Sequence, residues 1–276
     1  MALSILNNIS SLMAENQVNI TGNNLQKTLE QLASGSKINS GADDAAGLAI
    51  ANGLQANISA LNQSVQNATN GVGELQTADG ALSQVTTLLN RAVTLATEAA
   101  GGTVTSTQQT ALDTEYQSIL TEIGNIGSAT TYNGSAIFGS GNALTVYMSD
   151  STSAGTSSIS VSIGALSTAA GSLALTGTDL TSTGDATAAL AAVNAAIATI
   201  ATTRGALGAA MNQLQAASNV MNNQVQNLTS AENNITAADI GETVANMTQY
   251  NVLQQTGIAA LQQANQAQES VLKLLQ

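Results

Sequence analysis

The sequence predicts a mainly α fold, a long antiparallel helical coiled-coil bundle with a small β-hairpin element at one end. Three observations carry that prediction. Apolar residues recur at alternating spacings of four and three along two stretches far apart in the chain. Aromatic residues make up only 2% of a chain that is 43% hydrophobic, so its apolar content is mostly Ala, Leu, Val and Ile, which suit helix-to-helix packing. Between the two stretches the composition turns to Gly, Ser and Thr.

The first seam runs Leu54, Ile58, Leu61, Val65, Ala68, Val72, Leu75, Asp79, Leu82, Thr86, Leu89, Val93, Ala96, interrupted by Asp79 and Thr86. Such spacing keeps one line of a helix facing a partner when helices wrap at about 3.5 residues per turn. At a rise of ~1.5 Å per residue this helix is roughly 65 Å long, and Gly101-Gly102 suits its end. The second seam runs Leu190, Val193, Ile197, Ile200, Arg204, Leu207, Met211, Leu214, Ser218, Met221, Val225, Leu228, Glu232, Ile235. Two rods of matching length are expected to pack on one another. Leu112, Tyr116, Ile119, Leu120 and Ile123 form a third, shorter helix.

Both tips carry a more polar version of the rhythm. At the C-terminus it is Ile240, Val244, Met247, Asn251, Gln254, Ile258, Leu261, Asn265, Gln268, Leu272 and Leu275, after a register slip around 236–239. At the N-terminus it is Ile5, Ile9, Leu12, Asn16, Asn19 and Asn23. Polar seam residues weaken a lone coiled coil while restricting its register, so the tips are expected to be loose alone and to fold on pairing. In the Gly, Ser and Thr rich stretch 135–185, Ala143–Met148 and Ile159–Ile163 alternate as strands, with a turn at 139–142.

With no Cys and no His, the chain lacks thiolate and imidazole metal ligands, a Cys nucleophile and a His-centred triad. A net charge of −12, with no Lys or Arg between Arg91 and Arg204, disfavours nucleic acid and anionic membranes as partners. The N-terminus has no basic region ahead of an apolar run, so no cleaved signal peptide is read there. No stretch reads as the roughly 18–20 apolar residues of a membrane span.

The acidic pair Asp43-Asp44 follows the turn Asn39-Ser40-Gly41. Its structural reading is a helix N-terminus, whose free N–H groups and positive dipole end favour carboxylates; the rival is a catalytic or metal-binding dyad. Small residues after it, Ala45, Ala46, Gly47, Ala49 and Ala51, leave room for a neighbouring helix or subunit. The two arginines, Arg91 and Arg204, read as ion-pair partners of acids such as Glu98 or Glu115, and Met211 and Met221 as core residues. No cofactor is expected.

SGSKINSGADDAAGLAIA at 34–51, LLNRAVTLATEAAGGT at 88–103, TEIGNIGSATTYNG at 121–134 and NMTQYNVLQQTGIAALQQANQAQESVLKLL at 246–275 together resemble bacterial flagellin, in that family's order and spacing. The resemblance covers about residues 1–166 and 185–276. It implies a non-enzymatic structural subunit that polymerises, many copies at a time, into the extracellular flagellar filament for swimming motility. It also implies export by the flagellar type III route, and an export chaperone, cap and hook-junction proteins as partners.

By the same resemblance, residues 1–42 are the N-terminal helix of an inner filament-core domain, 43–134 the N-terminal helices of an outer rod domain, and 135–185 a reduced variable region. Residues 186–235 are then the C-terminal rod helix, and 236–276 the C-terminal core helix. Asn39, Ser40, Asp43, Asp44 and Gly47 become the junction between the layers. Ile5, Ile9, Leu12, Val244, Met247, Ile258, Leu261, Leu272 and Leu275 become polymerisation residues. The family's contact with a host innate receptor maps to Leu89, Arg91 and Glu115, with Asn90 where the family has Gln. The rival readings are a hook-filament junction protein, a secreted helical adhesion or binding module, and an enzyme built on Asp43 and Asp44.

Overall fold

The computed structural model describes residues 8–139, 143–148, 158–168 and 172–274, with backbone alone at 271–274. In chain order the elements are α1 (Ile9–Ser34), α2 (Ala45–Ala100), α3 (Ser106–Ala129), β1 (Thr131–Tyr132), β2 (Ser135–Ala136), β3 (Ala143–Tyr147), β4 (Ser158–Ser162), α4 (Thr183–Thr236) and α5 (Ile240–Leu274). The chain forms two compact units, Met1–Ala56 with Asn227–Gln276, and Asn57–Gln226.

In the unit of residues 57–226, α2 and α4 run antiparallel: Gly71 lies against Leu214, and Asp79 pairs with Arg204. Along α2 a buried line runs Leu61, Ser64, Ala68, Gly71, Leu75, Ala78, Leu82, Val85, Leu89, Ala92, Ala96 and Ala99, alternating by three and four, with Ile58 and Leu95 buried beside it. The sequence reading had the period and every second residue. It placed Val65, Val72 and Val93 in the centre, where the structure puts Ser64, Gly71 and Ala92, and the valines flank the seam half-buried. The same correction holds on α4, where Ala189, Ala196 and Ala210 are buried and Leu190, Ile197 and Met211 flank them. Closely approaching helices need small residues on the line of nearest contact, with larger ones closing over the sides.

α3 begins with a capping box: the Thr105 hydroxyl accepts from the Gln108 amide, and the Gln108 side chain accepts from the Thr105 amide. Tyr116 and Ile123 are fully buried. The Tyr116 hydroxyl lies 2.7 Å from that of Thr178, and Asp113 accepts from the Leu180 amide at 2.9 Å, so the segment leading into α4 is strapped onto α3. Burial raises the Tyr116 pKa above its ordinary value. β1 and β2 are joined by Asn133-Gly134, both at positive φ (48° and 79°), as a two-residue hairpin turn of the primed type requires.

β3 and β4 pair antiparallel, with Val146 opposite Ile159 and Leu144 opposite Val161. These are the strands expected from Ala143–Met148 and Ile159–Ile163. The expected turn at 139–142 lies outside the described residues except for Gly139. Val146 is the anchor: its Cγ2 lies 2.7 Å from where a Cβ on Gly71 would stand.

In the unit of residues 1–56 and 227–276, α1 and α5 also run antiparallel. The Asn8 side chain donates to the Ala264 carbonyl at 3.1 Å, Val18 abuts Gly257, and Ser36 forms an antiparallel bridge with Ala237. Asn8 caps α1 by accepting from the Ser11 amide, and Gly35 ends it in the left-handed conformation at φ 70°. The inward line of α1 is Ser11, Ala14, Val18, Thr21, Leu25 and Thr28; that of α5 is Thr243, Met247, Tyr250, Gln254, Gly257, Leu261 and Ala264.

The N-terminal rhythm, read as a line that folds on pairing, is not the line that meets α5. Ile9, Leu12, Asn16, Asn19 and Asn23 all face outward, because the small residues beside them make the contact. On α5, Met247, Gln254 and Leu261 face inward as expected, while Val244, Asn251, Ile258 and Asn265 are exposed. The register slip expected around 236–239 is the break between α4 and α5.

The reading that no stretch is apolar enough for a membrane span is also corrected. α4 contains an 18-residue window of mean hydropathy 1.5. Its apolar residues include Ala186, Ala189, Val193, Ala196 and Ile200, which are buried in the seam.

Candidate assembly surface and helix junction

The junction is built around two carboxylates with different tasks. Asp44 caps α2: its Oδ1 accepts from the Ala46 amide at 3.1 Å and the Gly47 amide at 2.9 Å. Asp43 turns back onto the preceding loop, accepting from the Asn39 amide (3.1 Å), the Ser40 amide (3.0 Å) and the Ser40 hydroxyl (3.1 Å). It also meets the Lys27 ammonium of α1 at 2.7 Å. Lys27 first, then the two amides, hold its pKa down at about 2, well below the ordinary 3.8.

Asn39 and Ser40 are thus turn residues gripped by Asp43, and Asp44 alone is the cap. Across the chain, the Lys37 amide donates to the Thr236 carbonyl at 2.8 Å and the Ala238 amide to the Gly35 carbonyl at 3.0 Å. These bonds tie the exit of α1 to the entrance of α5.

Gly47 corrects an expectation. The space beside it is filled from within the chain: a Cβ there would stand 2.5 Å from Asp44 Oδ2 and 2.8 Å from Ile38 Cδ1. Its smallness serves the cap and the buried Ile38, so the crowding there is internal to the subunit.

The larger feature is apolar surface. Among the described residues, the exposed large apolar side chains all lie in the unit of α1 and α5, except Tyr147 and Val220. Leu12 and Met13 are 70% and 69% exposed, and Ile9 60%. Val252, Ile240 and Ile258 on α5 are 54%, 49% and 46% exposed. Among the sequence-predicted polymerisation residues, Ile9, Leu12, Val244 and Ile258 are exposed, while Met247 and Leu261 are half-buried against α1. Ile5 and Leu275 lie outside the described residues, as does the Leu272 side chain. Met13, Ile20, Leu29, Val252 and Leu253 are exposed as well and were not in the sequence rhythm; a helical wheel drawn with small residues inward places Met13, Ile20 and Val252 outside.

Of the residues mapped to a receptor contact, Leu89 is fully buried in the seam. It cannot touch a partner on the folded chain. Arg91 and Glu115 are exposed and form an ion pair at 2.7 Å. Arg204 pairs with Asp79 through two hydrogen bonds, Nε to Oδ1 at 2.7 Å and Nη2 to Oδ2 at 3.2 Å, and Asp79 raises its pKa above the ordinary value. The signal for that partner was Asp79, the one charge in the first seam, and Arg204, the one cation in the second. Among the described residues, no group of three or more His, Cys, Asp or Glu side chains is placed to hold a metal ion.

Two family models match. That of the bacterial flagellin N-terminal helical region covers residues 5–143, and that of the bacterial flagellin C-terminal helical region covers residues 190–275. The chain is 41% identical to polar flagellin F of Vibrio parahaemolyticus over 88 residues, 32% of this chain and 23% of that protein. It is 46% identical to the B-type flagellin of Pseudomonas aeruginosa over 88 residues, 32% of this chain and 18% of that one. These matches span less than a quarter of the curated relatives. A solved Bacillus cereus flagellin aligns over 60% of this chain and 94% of its own, with 27% identity and a TM-score of 0.49. With both helical regions matched in order over most of its length, the chain belongs to the bacterial flagellin family.

Proposed function

We propose that the chain is a structural subunit that polymerises, many copies at a time, into the extracellular filament of a bacterial flagellum, without catalytic activity. The observation that carries this reading is the apolar outer face of α1 and α5, on which Leu12 and Met13 stand about seven-tenths exposed. Large apolar side chains exposed on a folded chain cost free energy in water, at about 25 cal/mol per Å² of apolar area, until another surface covers them. Copies of the same chain are the occupant that the family supplies. In this reading α1 and α5 form the inner, assembly-dependent layer, and the unit of residues 57–226 the outer rod.

The same family membership supports export by the flagellar type III route, and a chaperone, cap and hook-junction proteins as transient partners. A host-receptor contact, carried over from the family resemblance alone, falls on the exposed Arg91 and Glu115 and not on the buried Leu89.

Against a catalytic dyad stands the commitment of both acids: Asp44 to helix amides, and Asp43 to Lys27 and loop amides. The test is seeded polymerisation of full-length protein, followed by light scattering and electron microscopy. Filaments are expected from the native chain. A Leu12→Gln/Met13→Gln variant should stay monomeric while the unit of residues 57–226 melts unchanged. A native chain that remains monomeric under seeding overturns the proposal.

A further inference from the structure

We infer that Asp79 and Arg204 determine the register in which α2 and α4 pair. The seam they interrupt is nearly repetitive. Flanking its buried centre, α2 presents the half-buried row Val65, Val72, Asp79, Thr86, Val93, and α4 presents Leu190, Ile197, Arg204, Met211. Each row contains one charge, and the structure places those two charges opposite each other in a bidentate pair.

A slip of one heptad, about 10.5 Å along the helix axis, still sets small and apolar residues such as Ala68, Leu75, Ala78, Leu82 and Val85 against small and apolar ones such as Val193, Ala196, Ile200, Leu207, Ala210 and Leu214, so apolar burial alone discriminates poorly between registers. The charges do discriminate. Slipped one way, Arg204 faces Val72; slipped the other, it faces Thr86. Asp79 then faces Ile197 or Met211. Either slip leaves two half-buried charges without partners, which costs far more than the paired state gains over an apolar substitute.

The pair therefore acts mainly against wrong registers. The two side chains remain 33% and 37% exposed in the native register, so each is only partly desolvated there. This inference concerns folding of the single chain and does not depend on what the chain assembles into.

The absence of cysteine makes the test clean, because any disulfide formed reports only the introduced pair. Val72→Cys/Met211→Cys reports the native register. Val65→Cys/Met211→Cys and Val72→Cys/Ser218→Cys report the two slips. Each pair is placed in the full-length native chain and in an Asp79→Val/Arg204→Met background, refolded from denaturant, and oxidised.

In the native background only the first pair should cross-link. In the apolar background the slipped pairs should rise by about tenfold, with no fall in thermal midpoint. A charge exchange, Asp79→Arg/Arg204→Asp, should restore cross-linking of the first pair alone. Native-only cross-linking in the apolar background would overturn the inference, because register would then be held elsewhere. So would a loss of stability without slipped cross-links, since the pair would then be an ordinary stabilising contact.

Discussion

Gly71 and Gly80 lie nine residues apart in the interior of α2, and replacing each by alanine separates two effects that sequence alone confounds. Alanine in place of an interior helical glycine gains about 0.5–1 kcal/mol from backbone entropy and propensity. At Gly80 nothing lies within 4 Å of the new Cβ, so that gain should appear whole. At Gly71 the new methyl would stand 2.7 Å from Val146 Cγ2 and 3.4 Å from Leu214 Cδ1.

Val146 is β-branched and pinned by its pairing with Ile159, so it cannot swing aside, and forcing the β3–β4 hairpin off α2 costs about 1–3 kcal/mol. Net, Gly71→Ala should be destabilising by roughly 0–2 kcal/mol and Gly80→Ala stabilising by up to about 1 kcal/mol. In thermal unfolding followed by circular dichroism, the two variants should differ by several degrees, since 1 kcal/mol corresponds to about 2–4 °C at this size. If Gly71→Ala raises the midpoint as much as Gly80→Ala does, the hairpin does not sit on α2 at Gly71. The account of small residues on the contact line would then be wrong there.

The two junction acids should behave differently. Asp44→Ala should lower stability by about 1 kcal/mol through loss of the α2 cap, measured by urea titration. Asp43 has a lowered pKa, so its contribution is present above about pH 4 and is lost as pH falls toward 2. The stability difference between native protein and Asp43→Asn should thus be clear at pH 6 and vanish near pH 2; a pH-independent difference would refute the ion-pair account. Ala174 sits at φ 53°, so Ala174→Gly should stabilise by up to about 1 kcal/mol, read as a rise in the denaturation midpoint. At Gly47, alanine should lower monomer stability itself, by pressing on Ile38 and Asp44, rather than only filament yield.

The period of the seams was legible in the sequence; their phase was not. Choosing the larger and more apolar of two adjacent residues selected Val65 over Ser64, Val72 over Gly71 and Ile197 over Ala196, whereas the nearest approach of two backbones favours the smaller. On α1 the same choice put Ile9 and Leu12 in the tip rhythm, whereas the line that meets α5 holds Ser11 and Ala14. That inversion matters for function, because it leaves the large residues outside. Both β3–β4 strands and the break between α4 and α5 were visible, since alternation and a slip in register depend on spacing rather than size. The partner of Asp43 was not, because Lys27 lies sixteen positions away across a turn whose course depends on Gly35 and on the bridge of Ser36 to Ala237.

The most direct measurement of the central claim is the length distribution of filaments grown from seeds by native protein and by Leu12→Gln/Met13→Gln, imaged in negative stain at equal monomer concentration. The account predicts long filaments from the native chain and bare seeds from the variant, with the two proteins melting alike as monomers. Filaments of equal length from both would show that the exposed face of α1 is not what holds copies together.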